Sequence, residues 1–296
     1  MVGSSIVRIL QKKSFKNILT VEKNKLDLLD QSKTFNFLKK NKPEVVIIAA
    51  ARVGGIKANN TFKASFIYEN IQIQNNLIHG SYLAGIKKLI FLGSSCIYPR
   101  DCKQPIKEEY LLSGPLEITN EPYAIAKIAG LKMCHYYNYQ FGTNYLCLMP
   151  CNLYGLNDNY DLNNSHFIPA LLRKIYFAKY KNSKQVTLWG DGTPKRELMY
   201  VDDLARVCIH FMNIDTKESF INVGSNEEYT IKQFAKKISS LIGYQGSIKF
   251  DASMPNGTPR KLLNTRILKK YKFTSFTRFD DGIKPVYQSF KKMNLI

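Results

Sequence analysis

The chain has 296 residues, 45% of them apolar, a size and composition suited to one large α/β domain or one domain plus a smaller lobe. No run reaches the roughly 18 apolar residues of a membrane helix, and Arg8, Lys12 and Lys13 follow the short apolar start, so neither a membrane span nor a secretory leader is expected. The formal net charge is +20, but only nine of the 43 basic residues are arginine and no aromatic-interleaved stripe occurs, so nucleic acid is not an expected partner.

In chain order, residues 17–21 are expected as a strand. Residues 32–41 follow as a helix with Ser32 as its cap. Residues 45–49 are a continuous apolar run of the kind buried in parallel sheets. A long helix is expected near 66–84, a strand over 89–92, a helix over 123–139 and a strand over 144–149. This alternation implies crossovers and a doubly wound parallel sheet. Beyond Pro150 the pattern loosens. Residues 157–165 form an Asn/Asp-rich loop, and 167–179 a helix. A short strand, Gln185–Trp189, leads into the turn Gly190-Asp191-Gly192. Val201–Met212 is a helix that packs back on the sheet. From Thr230 the tail has the pattern of a small mixed α/β lobe. The expected division is a cofactor domain over 1–150 and, mainly, a substrate lobe over 151–296.

The six cysteines contain no Cys-x-x-Cys pair and form no His/Cys cluster with zinc spacing. A reduced, cytoplasmic chain without a metal is expected. His79, His135 and His210 lie inside helical patterns and are expected to be structural.

Tyr-x-x-x-Lys occurs at Tyr123/Lys127, Tyr180/Lys184 and Tyr287/Lys291, close to chance for a chain so rich in both residues. Only the first follows a buried-type strand ending in Gly93-Ser94-Ser95-Cys96. Ligands of open parallel sheets bind beyond the carboxyl ends of strands. A serine there and a Tyr/Lys helix about thirty residues on can meet over one substrate. The spacing sets both side chains on one helix face, where an ammonium lowers a phenol pKa.

Five ordered segments carry a resemblance: Gly93-Ser94-Ser95-Cys96-Ile97-Tyr98-Pro99; Asn120-Glu121-Pro122-Tyr123-Ala124-Ile125-Ala126-Lys127; Asn164-Ser165-His166; Trp189-Gly190-x-Gly192-Thr193-Pro194-x-Arg196-Glu197; and Asp251-Ala252-Ser253 through Gly257-Thr258-Pro259-Arg260-Lys261. Together they resemble the GDP-L-fucose synthases, extended short-chain dehydrogenases/reductases, from Met1 nearly to the C-terminus. The resemblance implies a Rossmann-like doubly wound sheet with a smaller C-terminal mixed α/β lobe. It also implies that the family's first strand and most of its glycine turn would precede Met1, with Gly3 as the last glycine. A start placed too late is the favoured expectation; a fragment is the other.

The implied reaction is NADPH-dependent 3,5-epimerisation and 4-reduction of GDP-4-keto-6-deoxy-mannose. Cys96 and His166 match the family's epimerisation pair. Ser94 and Tyr123 match the groups on the ketone oxygen, and Lys127 the ligand of the nicotinamide ribose. Arg196 and Lys261 would pair with the diphosphate; Asn152, Lys174 and Trp189 match other substrate positions. On the cofactor side stand Gly3, Ser4, Ala49, Ala50 and Ala51, with Lys127 and His166. Glu22 lies near an acidic position that favours NAD, but Lys23 aligns with the basic residue that meets a 2′-phosphate, so NADP(H) is expected. A homodimer is implied too. Two alternatives stay open: a reductase or epimerase on another nucleotide sugar, and a non-catalytic truncated paralogue.

Overall fold

The computed structural model describes residues 1–162, 165–254 and 256–293. Its elements are α1 (Val2–Lys12), α2 (Gln31–Asn41), β1 (Val45–Ile48), α3 (Ile56–Thr61), α4 (Lys63–Leu83), β2 (Lys88–Leu92), α5 (Glu121–Phe141), β3 (Asn144–Pro150), β4 (Asn152–Tyr154), α6 (Phe167–Tyr180), β5 (Gln185–Trp189), β6 (Lys195–Tyr200), α7 (Val201–Met212), β7 (Phe220–Val223), β8 (Glu228–Thr230), α8 (Ile231–Ile242), β9 (Ser247–Asp251), β10 (Arg260–Lys261), α9 (Arg266–Lys270) and α10 (Phe279–Lys291).

The apolar runs form a parallel sheet in the order β1-β2-β3-β7. Leu89, Ile90, Phe91 and Leu92 are all buried. Successive strand residues face opposite ways, so both sides of this sheet are covered. The cover comes from two packed helix pairs, α4 with α5 and α1 with α7. The second pair is pinned by polar contacts: Ser5 Oγ donates to Asp202 Oδ1 at 2.6 Å, and Arg8 forms an ion pair with the same carboxylate. Helix α5 has Pro122 in its first turn, where a missing N–H costs nothing, and ends at Gly142 in the left-handed region with φ 62°.

The strand expected over 17–21 does not form; these residues are irregular. Ile18, Thr20 and Val21 suit a strand, but no described strand lies beside them, and β1 pairs with β2 alone. Without a ladder partner, an extended segment leaves its backbone groups to water. Ser32 does not cap α2 either. Asp30 does so, its carboxylate accepting the Lys33 N–H at 3.0 Å. An anion at that position also meets the positive end of the helix.

The remaining strands form two smaller sheets. One has the order β10-β6-β4, with β8 antiparallel to β6; the other pairs β5 with β9. Around them lies a second apolar core that includes Tyr154, Leu172, Ile175, Phe234, Phe279 and Phe290. Leu204, Cys208, Val223, Leu263 and Leu268 instead join the first core. The three helical histidines are all paired: His79 with Tyr137, His135 with Ser219 and His210 with the Tyr271 carbonyl.

Candidate active site

Beyond β2 the chain turns through Gly93 into a short 3-10 turn, Ser95–Ile97. A Cβ at Gly93 would come within 2.3 Å of the Met149 sulfur, so a larger residue would require that side chain to shift. Ser94 caps the turn, its Oγ accepting the Cys96 N–H at 3.2 Å. Tyr123 lies in the first turn of α5, and Lys127 one turn later on the same face. Lys127 is buried; its Nζ donates to the Leu92 carbonyl at 2.8 Å and lies 5.7 Å from the Tyr123 ring centroid. Serine, tyrosine and lysine thus meet at the carboxyl end of β2.

Burial pushes the Lys127 ammonium down to about 8. Burial also pushes the Tyr123 phenol above its ordinary value; Cys96 adds to this and a hydrogen bond with Ser94 opposes it. The lowering of Tyr123 by Lys127 expected from spacing is therefore not found. The ammonium is committed to the Leu92 carbonyl, and loss of water dominates at the phenol.

Cys96 is half-buried in the same group. Lys261 Nζ and Asn120 Nδ2 each donate to its Sγ at 3.4 Å. Lys261 stands opposite Arg196 in the register of β10 and β6, which brings the second cation near. Burial pushes the thiol up, but Lys261, Ser94 and Arg196 together outweigh it, and the thiol lies below its ordinary value. Cys96, Tyr98, Gln104, Thr258 and Lys261 line a recess here.

Sequence reasoning assigned no role to Asn120. Its position was a signal: it is the N-cap of α5, where an Asn side chain normally bonds the helix, yet it makes no such bond. The amide is given to Cys96 instead, and its Oδ1 is buried without a partner among the described residues. Glu197 was also missed. Nearly fully buried, it accepts the N–H groups of Asn226 at 2.7 Å and Leu263 at 3.0 Å. It ties β6 to the segment after Lys261. Burial pushes its carboxyl up to about 7.

His166 is the N-cap of α6 and half-buried. Among the described residues it makes no hydrogen bond to Cys96, Ser94 or Tyr123; its charge is felt by Asp158. Asn164, from the same motif, lies outside the described residues. Lys174 and Trp189 do come together: Nζ lies 5.6 Å from the indole centroid, burial lowers the ammonium, and Trp189 is 54% exposed. Gly190 and Gly192, both at φ 79°, carry the turn after Trp189. Asn152 opens β4, half-buried, opposite Leu198 of β6.

On the cofactor side, Gly3 and Ser4 are exposed in the first turn of α1. A Cβ on Gly3 would lie 3.9 Å from the Ala49 Cβ, so the helix start and the loop after β1 adjoin. Ala49, Ala50 and Ala51 are half-buried in that loop. Asn70 fixes its next residue, accepting the Arg52 N–H and donating to the Arg52 carbonyl, each at 3.0 Å. A Cβ at Gly54 would meet Ala58 at 2.9 Å and Phe66 at 3.3 Å, so packing favours glycine there. Lys23 is exposed in a turn, without a described contact to α1 or this loop.

The sequence profile of the NAD dependent epimerase/dehydratase family matches residues 1–224. The chain is similar to the GDP-L-fucose synthase of Sinorhizobium fredii, at 46% identity over 98% of this chain and 92% of that one. It is similar to the Escherichia coli GDP-L-fucose synthase at 46% identity, over 98% and 93% of the two chains. Among solved structures, MlghC, a GDP-mannoheptose C4 reductase from Campylobacter jejuni with NADP bound, superposes with a TM-score of 0.90 at 38% identity, covering 98% of this chain and 95% of that one. By profile, fold and near full-length likeness, the chain belongs to the NAD-dependent epimerase/dehydratase family.

Proposed function

We propose that this protein is an NADP(H)-dependent GDP-L-fucose synthase. It would invert carbons 3 and 5 of GDP-4-keto-6-deoxy-mannose and reduce carbon 4. The observation that carries this reading is the joining of two chemistries at the end of β2: the Ser94/Tyr123/Lys127 group of a reductase and a Cys96 thiol paired with Lys261.

A 4-ketone acidifies the hydrogens on both neighbouring carbons. Cys96 and His166 exchange those protons, a thiol and an imidazole being side chains that serve as general base and acid. Ser94 and Tyr123 hydrogen-bond the ketone oxygen and stabilise the enolate. Tyr123 then gives its proton to the carbon-4 oxygen. Its raised pKa keeps it protonated until that step. Arg196 and Lys261 meet the diphosphate, Arg196 with a planar fork. Trp189, Lys174 and Asn152 take the rest of the GDP-sugar.

The residues present fit a dinucleotide. The exposed N-terminal turn of α1 adjoins small side chains at the end of β1, as a pyrophosphate requires. Gly3, Ser4, Ala49, Ala50 and Ala51 would hold it, Lys127 and His166 its nicotinamide half, and Lys23 a 2′-phosphate. When bound, NADPH supplies the hydride. We assign the first core to the cofactor domain and the second to the substrate lobe. The exposed Tyr68, Leu83, Tyr136 and Tyr139 on α4 and α5 suit a homodimer. A cytoplasmic location agrees with six free cysteines.

A reductase on another GDP-sugar is the second reading, favoured by the likeness to a GDP-mannoheptose C4 reductase. The test is NADPH consumption with GDP-4-keto-6-deoxy-mannose. Substrate-dependent loss of NADPH absorbance is expected; none with that sugar rejects the proposal.

A further inference from the structure

We infer that Lys261, with Asn120, holds Cys96 as a thiolate before any substrate arrives. Lys261 is then a positioning residue for proton transfer as well as a candidate ligand of the diphosphate. The inference rests on Cys96 as the proton-exchanging group of the proposed reaction.

The geometry is specific. A sulfur near the end of a buried strand has two N–H donors at 3.4 Å, one of them an ammonium. The backbone that carries the cation is anchored: β10 pairs with β6, and Glu197 binds the Leu263 N–H two residues on. The two donors and the second cation, Arg196, also come from independent elements. Lys261 belongs to β10, Asn120 to the cap of α5, and Arg196 to β6. Tyr123, from α5, is the other titratable group facing the sulfur, and no carboxylate bonds to it among the described residues.

The other cysteines supply the contrast. Cys102, Cys147, Cys151 and Cys208 are all pushed up, as burial alone demands. Cys96 moves the other way. A thiolate is the form that can remove a proton from carbon: the C–H pair passes to the enolate and the proton to sulfur. In the proposed reaction His166 gives a proton to the opposite face, which completes an inversion, and the thiol then passes its proton to solvent, which restores the thiolate.

Iodoacetamide alkylation of the intact protein across a pH series tests this, with peptide mass mapping to read Cys96 separately from Cys102. Native Cys96 is expected to titrate below the ordinary thiol value of about 8.5 and below Cys102. Lys261→Gln moves the Cys96 midpoint up, and once the midpoint lies above the assay pH the alkylation rate falls about tenfold for each further unit. Lys261→Arg restores the charge and the lower midpoint. A native Cys96 that titrates at or above the ordinary value overturns the inference. So does an unchanged midpoint in a folded Lys261→Gln protein. If Lys261→Gln does not fold, the native profile decides alone. No sugar is present, so failure of the epimerase reading would leave this result untouched.

Discussion

Arg196 and Lys261 face each other across the parallel register of β6 and β10, and both cations bear on the Cys96 thiol. These two strands lie in the C-terminal half of the chain, whereas Cys96 lies in the turn just beyond β2 of the first sheet. The pairing therefore brings cations from the second half of the chain to a sulfur of the first. A shift of β10 by one residue would replace Lys261 by Arg260, whose guanidinium is already paired with Glu228.

Tyr123→Phe should abolish reduction while leaving solvent hydrogen exchange at carbons 3 and 5. Exchange needs the bases and an oxyanion partner, which Ser94 still provides; reduction needs the phenolic proton. NADPH oxidation and deuterium uptake, measured on the same variant, separate the two steps. Reduction at the parent rate would remove Tyr123 from the donor role.

Lys127→Met should separate stability from activity. The buried ammonium carries a shift from 10.5 to about 8, so its charge costs roughly 3 kcal/mol. Its loss also orphans the Leu92 carbonyl, which costs about 1–3 kcal/mol. These terms nearly cancel, and the melting temperature should move little. The reduction rate should fall by about 10²-fold or more if Lys127 holds the nicotinamide half as proposed. A large melting loss with activity retained would show Lys127 to be structural.

Glu197 should give stability a falling pH dependence. Its carboxyl is raised from 4.5 to about 7, so the native state binds the extra proton across that window. Stability from this group is full below about 4.5, declines as pH rises through about 7 and is level above it, with a span of at most roughly 3 kcal/mol. Glu197→Gln should flatten the pH dependence of the melting temperature across that window, though it is less stable overall because its amide nitrogen opposes one of the two backbone N–H donors. A parallel pH slope in both proteins would exclude Glu197 as the source.

The chain announced its sheet and its site unevenly. Leu89–Leu92 and Asn144–Met149 read as buried strands because unbroken apolar runs suit a sheet covered on both sides. Residues 17–21 were also expected as a strand and are irregular, because a strand needs a neighbour as well as β-branched residues. Asp30 outcompeted Ser32 as a cap; both residue types suit the position, and only the backbone decides. Ser94, Tyr123 and Lys127 were legible from spacing and the resemblance. The Lys261–Cys96 contact was not, because it joins residues 165 apart through a two-residue strand. Spacing also misjudged Tyr123: two side chains on one helix face interact as expected only when neither has a better partner, and Lys127 has the Leu92 carbonyl.

Epimerisation and reduction are proposed to share one site. Incubation with GDP-4-keto-6-deoxy-mannose and NADPH in deuterium oxide, followed by stereochemical and isotopic analysis of the product, probes this sharing. GDP-L-fucose with solvent deuterium at carbons 3 and 5 and cofactor hydride at carbon 4 is expected. Cys96→Ser and His166→Asn should cut the deuterium uptake by about 10²–10⁴-fold without comparable loss of NADPH binding. A reduced product that keeps the manno configuration, with no deuterium at either carbon, would contradict it.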